Sequence, residues 1–230
     1  MIYVGGIDFG LRHDWTAAVI LAFADVPPER GVWMPHIVAL KKMRADTIST
    51  GSTATMLDVV ESMCVTMLDH FDITLLLGDS THDEGSVAWL ARRYGEGRVE
   101  GMNFGGNAMN SLWHDTLHFV GAPEGFPWMD PSALPPGSEL RRNAAELQEQ
   151  ITVEQTTVNG RGQQSFYHPG EHNDLLHGFN LSCVAARRVQ NAVSHIHGEI
   201  HVMPAQGSIP YRQDPRMVPE GMGGYRRRSW

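Results

Sequence analysis

Only two of the 230 residues are cysteine, Cys64 and Cys183, and both fall inside apolar helical patterns. Such thiols read as buried groups of a cytoplasmic protein, which excludes a disulfide-stapled scaffold. No apolar run approaches the roughly 20 residues that span a bilayer, so no membrane association is expected. The opening stretch, Met1 to Gly10, has neither a basic region nor a cleavage-type end, so no secretion signal is expected. Lysine is nearly absent: Lys41 and Lys42 are the only two. No Gly-x-x-x-x-Gly-Lys-Ser/Thr phosphate loop exists, so this chain cannot itself drive a motor of that class. A histidine-based zinc hydrolase would need His-Glu-x-x-His spacing, and a serine hydrolase a Gly-x-Ser-x-Gly elbow; neither is present.

Apolar residues make up 42% of the chain. With 230 residues, that supports one substantial α/β domain over 1–195 and a tail over 196–230. From Met203 onward the sequence turns to Pro, Gly, Arg and Met without periodicity, which reads as an extended arm. The net charge of -8 argues against a protein that coats nucleic acid nonspecifically. The basic residues are clumped, however: Lys41, Lys42 and Arg44; Arg92 and Arg93; Arg141 and Arg142; Arg187 and Arg188; Arg226 to Arg228. Local patches of this kind can hold a phosphate backbone against the overall sign, although a solvated helix face is the simpler reading of any one pair.

The apolar pattern predicts strands over 2–9, 15–23 and 33–41, with Asp25-Val-Pro-Pro-Glu-Arg-Gly31 as turn material between the second and third. A helix over 52–70 follows, with Met56, Val59, Val60, Met63, Cys64, Met67 and Leu68 on one face. The continuous run Ile73 to Leu77 predicts a strand buried on both sides, ending at Gly78-Asp79. A helix over 86–94 and a strand over 98–104 complete a βββαβαβ order, that of three antiparallel strands followed by crossover helices and parallel strands. Further helices are predicted near 108–119 and 139–150. Strands at 151–158 and 163–167 flank Asn159-Gly160-Arg161-Gly162, a good turn for a β-hairpin. A last helix runs over about 172–190.

Three carboxylates stand where this order would gather them. Asp8 lies at the middle or end of the first strand, Asp79 ends the first parallel strand, and Asp174 opens the final helix. Oxygen ligands from three distant segments at one sheet end suit Mg²⁺ or Mn²⁺. Two such ions about 4 Å apart can activate water and stabilise the leaving oxygen of a phosphodiester. Each aspartate alone is ordinary, in a turn or in the first turn of a helix; the significance lies in the three together. Weaker candidates surround them. Asp14 could orient a water, but a turn role is favoured. His172 could reach a metal or leaving group, or simply sit exposed at a helix start. Asp83 and Glu84 look like helix-capping charges. His195, His197 and His201 alternate as on a strand, and without a cysteine partner they read as a polar strand face rather than a zinc site.

These residues resemble the nuclease domain of the large terminase subunit of tailed phages and their relatives, through to about residue 190. Gly6-Ile-Asp-Phe-Gly10 with Asp14-Trp-Thr-Ala17 is similar to that family's first motif, and Leu75-Leu-Leu-Gly-Asp79, with Gly85 and a helix after it, to the second. Val99-Glu-Gly-Met-Asn-Phe-Gly-Gly106 resembles the strand and glycine pair that follow. Glu139-Leu140, Leu147 to Thr152 and the hairpin resemble the later part, and His172-Asn-Asp-Leu-Leu-His-Gly178 the third acidic motif. The resemblance implies an α/β ribonuclease H-like fold: a central mixed sheet flanked by helices, with an auxiliary hairpin near the cleft that helps govern DNA access. It implies cleavage of double-stranded concatemeric viral DNA during genome packaging, by a two-metal mechanism at Asp8, Asp79 and Asp174. The partners it implies are the terminase ATPase domain, the small terminase subunit and the portal, acting in the host cell cytoplasm. Where relatives often carry further aspartates in the third motif, this chain has Asn173 and His177. The missing ATPase suggests a domain excised from a longer protein or a separately encoded nuclease, and a start immediately before the first strand favours the former.

Two other functions remain open. Another ribonuclease H-like nuclease, of the junction-resolving type, would use the same chemistry. A domain of the same fold that only docks on a packaging complex would use none.

Overall fold

The computed structural model describes residues 1–10, 14–29, 32–47, 55–81, 83–103, 108–153, 155–158, 164–167 and 173–196. The first three strands, β1 (Ile2–Asp8), β2 (Thr16–Phe23) and β3 (His36–Met43), form the expected antiparallel meander. Helix α1 (Met56–Thr66) is closed at its start by a capping box. The Thr55 hydroxyl accepts from the Asp58 amide, and the Asp58 carboxylate accepts from the Thr55 amide. Strand β4 (Ile73–Asp79) then returns parallel to β1, helix α2 (Glu84–Tyr94) crosses over, and β5 (Val99–Met102) adds to the parallel side. The strand order β3-β2-β1-β4-β5 puts β1 and β4 side by side in the interior of the sheet.

Both faces of this sheet are covered, which explains why all eight residues of β2 are buried. Val19, Leu21 and Phe23 point to one side, with Leu77 of β4 and the last helix, α5 (Asp174–Ile196). Ala18 and Ile20 point to the other, against Val60, Met63 and Cys64 of α1 and Leu90 of α2. Phe179 of α5 is wholly buried, edge-on to Phe126. Burying a side chain of that size stabilises the fold by roughly 1.5–3 kcal/mol. Helices α3 (Ala108–Val120) and α4 (Glu139–Val153) pack against α5. The hairpin of β6 (Gln155–Val158) and β7 (Gln164–Tyr167) forms a separate two-stranded sheet with β7 beside α3. This is an α/β architecture with a five-stranded mixed sheet between helices, as the sequence predicts.

The differences are local. Residues 151–153, read as the start of a strand, continue α4, whose Leu147 and Gln150 face inward and carry the helical period past them. His195, read as part of a polar strand, lies in the last turns of α5. His197 and His201, the hairpin turn, His172 and the tail beyond 196 lie outside the described residues. Asp83 caps α2 as expected, its carboxylate accepting from the Ser86 amide at 2.9 Å. Among the described residues no helix is long and apolar enough to cross a membrane. Three of the basic clumps are paired locally with carboxylates: Lys41 with Glu139, Arg93 with Asp69 and Arg188 with Glu100.

Candidate active site

Two of the three predicted carboxylates are brought together by the sheet itself. In the parallel pairing of β1 with β4, Ile7 is opposite Gly78, so the next residues, Asp8 and Asp79, close the same ends of neighbouring strands. Asp8 is buried, with 8% of its surface exposed. Asp79 is partly buried, and its Oδ1 accepts a hydrogen bond of 2.8 Å from the Thr81 amide, which turns the chain away from the strand end.

Helix α5 supplies the third. It crosses β1 at short range because Gly6 carries no side chain there: a Cβ on Gly6 would lie 2.2 Å from the Gly178 carbonyl oxygen and 2.5 Å from the Ser182 amide nitrogen. That crossing sets the first turn of α5, with Asp174 and His177, over the end of β1. His177 Nδ1 stands 3.2 Å from Asp8 Oδ2. Its Nε2 faces the Asn173 side-chain nitrogen at 2.9 Å. With the amide in that orientation, Nε2 accepts and Nδ1 donates to Asp8.

Burial raises the Asp8 pKa most; the His177 hydrogen bond opposes this, and the charges of Asp79 and Asp14 add to the rise. Burial pulls His177 down, but its bond to Asp8 and the charges of Asp8, Asp174 and Asp79 outweigh that and leave it raised. The charges of Asp8, Asp79 and Asp174 thus all favour the protonated form of one imidazole, with the Asp8 contact the shortest described. Asp14 is exposed on a loop whose closure is tight: a Cβ on Gly10 would lie 2.4 Å from the Trp15 carbonyl, and the Gly10 amide donates to the Thr16 hydroxyl. Trp15, next to it, has the Lys42 ammonium 4.6 Å and the Arg44 guanidinium 4.9 Å from its ring centre.

Three carboxylates around a sheet end are the donor chemistry of a hard divalent cation, and the residues fit such a group in kind. Among the described residues, however, no three His, Cys, Asp or Glu side chains are gathered closely enough to hold an ion as they stand. Asp8 is instead engaged with His177. The sequence noted His177 only as a departure in a motif. Its spacing of three from Asp174 on a helix, which puts both on one face, was the signal that it would lie beside the candidate carboxylates.

A search of protein-family models and a search of curated proteins each found no match. Among solved structures, the chain is similar to the large terminase nuclease from thermophilic phage G20c with bound magnesium: 15% identity, 80% of each chain covered, TM-score 0.51. The fold is that of a large terminase nuclease. The terminase nuclease domain of bacteriophage SPP1 with bound Mn also matches, at 14% identity over 82% of this chain and 87% of that one, with a TM-score of 0.48. RuvC of Thermus thermophilus matches at 10% identity over 83% and 96%, with a TM-score of 0.43. In this terminase-nuclease fold, Asp8 and Asp79 occupy the ends of the first strand and the first parallel strand, where α5 closes over them.

Proposed function

We propose that this chain is a divalent-metal-dependent endonuclease that cuts double-stranded DNA, and that its place is the cleavage of concatemeric viral DNA during genome packaging. The observation that carries this reading is the pairing of Asp8 with Asp79 at adjacent strand ends beneath the first turn of α5, with Asp174 acting on the imidazole that touches Asp8. Asp8, Asp79 and Asp174 would hold Mg²⁺ or Mn²⁺. When bound, two such ions supply an activated water and charge stabilisation for an in-line displacement at phosphorus. The chain's own part is to concentrate negative charge in a partly buried place and to keep it from collapsing apart. His177 does this by donating to Asp8, and the Thr81 amide by donating to Asp79. Packing α5 onto β1 through Gly6 fixes the distance between the two halves of the site. By the same reading the β6–β7 hairpin governs DNA access, and the ATPase domain, small terminase subunit and portal are its partners in the host cytoplasm.

A second reading is favoured by one observation. Asp8 is tied to a histidine rather than gathered with two other ligands, as in a domain that docks on a packaging complex without cutting. Incubation of the full chain with supercoiled plasmid, linear duplex and a four-way junction, each with Mn²⁺, Mg²⁺ or chelator, separates the possibilities. Metal-dependent cutting of plasmid and linear duplex supports the proposal. Cutting confined to the junction makes the chain a resolving nuclease, and no cutting under any condition leaves the docking role.

A further inference from the structure

Gln150 lies in the last turns of α4, is 5% exposed, and is held at both ends of its side-chain amide. Its side-chain oxygen accepts from the Leu176 amide at 2.9 Å. Its side-chain nitrogen donates to Glu146 Oε1 at 3.2 Å. The same Glu146 oxygen pairs with the Lys42 ammonium at 2.5 Å. Leu176 is the third residue of α5, one of the first-turn amides that have no partner inside their own helix. Gln150 therefore caps α5 from another helix, between Asp174 and His177 in sequence.

The other end of this chain of contacts returns to the site. Lys42 of β3 is opposite Ala17 of β2, and Ala17 is opposite Asp8 of β1, so Lys42 and Asp8 share one row of the sheet. From that row the contacts rise through Glu146 and Gln150 to Leu176, and the neighbouring His177 comes back down to Asp8. The ring closes around the two segments that must meet for Asp8 and Asp174 to share a cation.

We propose that Gln150 is a positioning residue of the metal centre: by holding the Leu176 amide, with Glu146 and Lys42 as its anchor to the sheet, it sets Asp174 over Asp8. This rests on the metal-dependent reading above. A buried amide held at both ends has one orientation, and an outer partner of that kind governs how well ligands are presented to an ion. Glu146 needs only an acceptor oxygen to hold Gln150, so a glutamine there preserves the link and a leucine does not.

The test is Mn²⁺ binding by the full chain, followed by the electron-spin signal of free Mn²⁺, alongside plasmid cutting across a Mn²⁺ series. Gln150→Leu is expected to weaken Mn²⁺ binding by roughly 10-fold or more, while the rate at saturating Mn²⁺ stays within about threefold of the parent. Glu146→Leu is expected to shift binding in the same direction, and Glu146→Gln to restore parental affinity. If Gln150→Leu does not fold, the Glu146 pair decides: equal affinities for the leucine and glutamine variants overturn the proposal. Gln150→Leu that melts earlier but binds Mn²⁺ like the parent makes Gln150 a brace of the fold and also overturns it. A parent chain that binds no Mn²⁺ instead sinks the metal reading on which the proposal stands.

Discussion

Gly6 of β1 and Gly178 of α5 touch through their backbones, so closely that a single methyl on Gly6 would overlap the Gly178 carbonyl oxygen at 2.2 Å. The converse is not symmetric: a Cβ on Gly178 would meet nothing nearer than the Ala17 carbonyl oxygen at 3.3 Å. Gly6→Ala should therefore push the helix off the strand and destabilise the fold by about 3 kcal/mol. That corresponds to a melting temperature lower by roughly 6–12 °C in a domain of this size. Gly178→Ala should stay within about 1 kcal/mol of the parent, since the helical preference of alanine offsets the tighter contact. Thermal melts of the two variants check this, and comparable losses in both would mean that the crossing is looser than described.

Removing single carboxylates tests the site most directly. Asp8→Asn, Asp79→Asn and Asp174→Asn should each lower Mn²⁺-dependent plasmid cutting by on the order of 10²-fold or more, because each removes a charged oxygen ligand. Circular dichroism should show an unchanged fold. Full activity in the Asp8 or Asp174 variant would take that residue out of the chemistry.

His177 stands where the resemblance leads one to expect an aspartate, and its contact with Asp8 replaces like-charge repulsion with a hydrogen bond. His177→Asp should therefore have opposite effects with and without metal. The metal-free protein should lose about 2 kcal/mol, as two carboxylates face each other in a buried place. Mn²⁺ binding should tighten, since an added charged oxygen raises affinity for a hard cation. Melting curves with and without Mn²⁺ report both, because a ligand bound only by the folded state raises its stability. A variant less stable in both conditions by the same amount would remove the metal from the explanation.

Away from the site, Asp69 ties α2 to the short 3-10 turn after α1. It accepts from the Arg93 guanidinium and from the Tyr94 hydroxyl at 2.6 Å. The Arg93 hydrogen bond holds the Asp69 carboxyl below its usual value, helped by Tyr94 and opposed by burial. A lowered folded-state pKa means that this contribution is present above the unfolded aspartate value, near about pH 4, and is lost as pH falls through the folded value. Asp69→Asn should thus be less stable than the parent at pH 7, and the gap should close in strong acid. Denaturant melts at the two pH values check it; a gap that widened in acid would reverse the assignment.

Much of the architecture was legible in the chain. The runs that alternate or continue in Val, Ile, Leu and Ala placed every strand of the main sheet, and chain order alone put Asp8 and Asp79 at ends of the same sense. Local chemistry was equally readable at Asp83, which caps α2 because a short side-chain oxygen can reach an amide three residues on. Such features depend on near neighbours, and the sequence carries near neighbours directly. Other features depend on approach between distant segments. The fit of Gly6 under α5, the meeting of His177 with Asp8, and the reach of Gln150 from α4 to the first turn of α5 join residues 26 to 172 positions apart. Their distances follow from how helices settle on a twisted sheet, a matter of shape and close packing rather than of pattern, so only the tertiary structure decided which polar groups would surround the carboxylates.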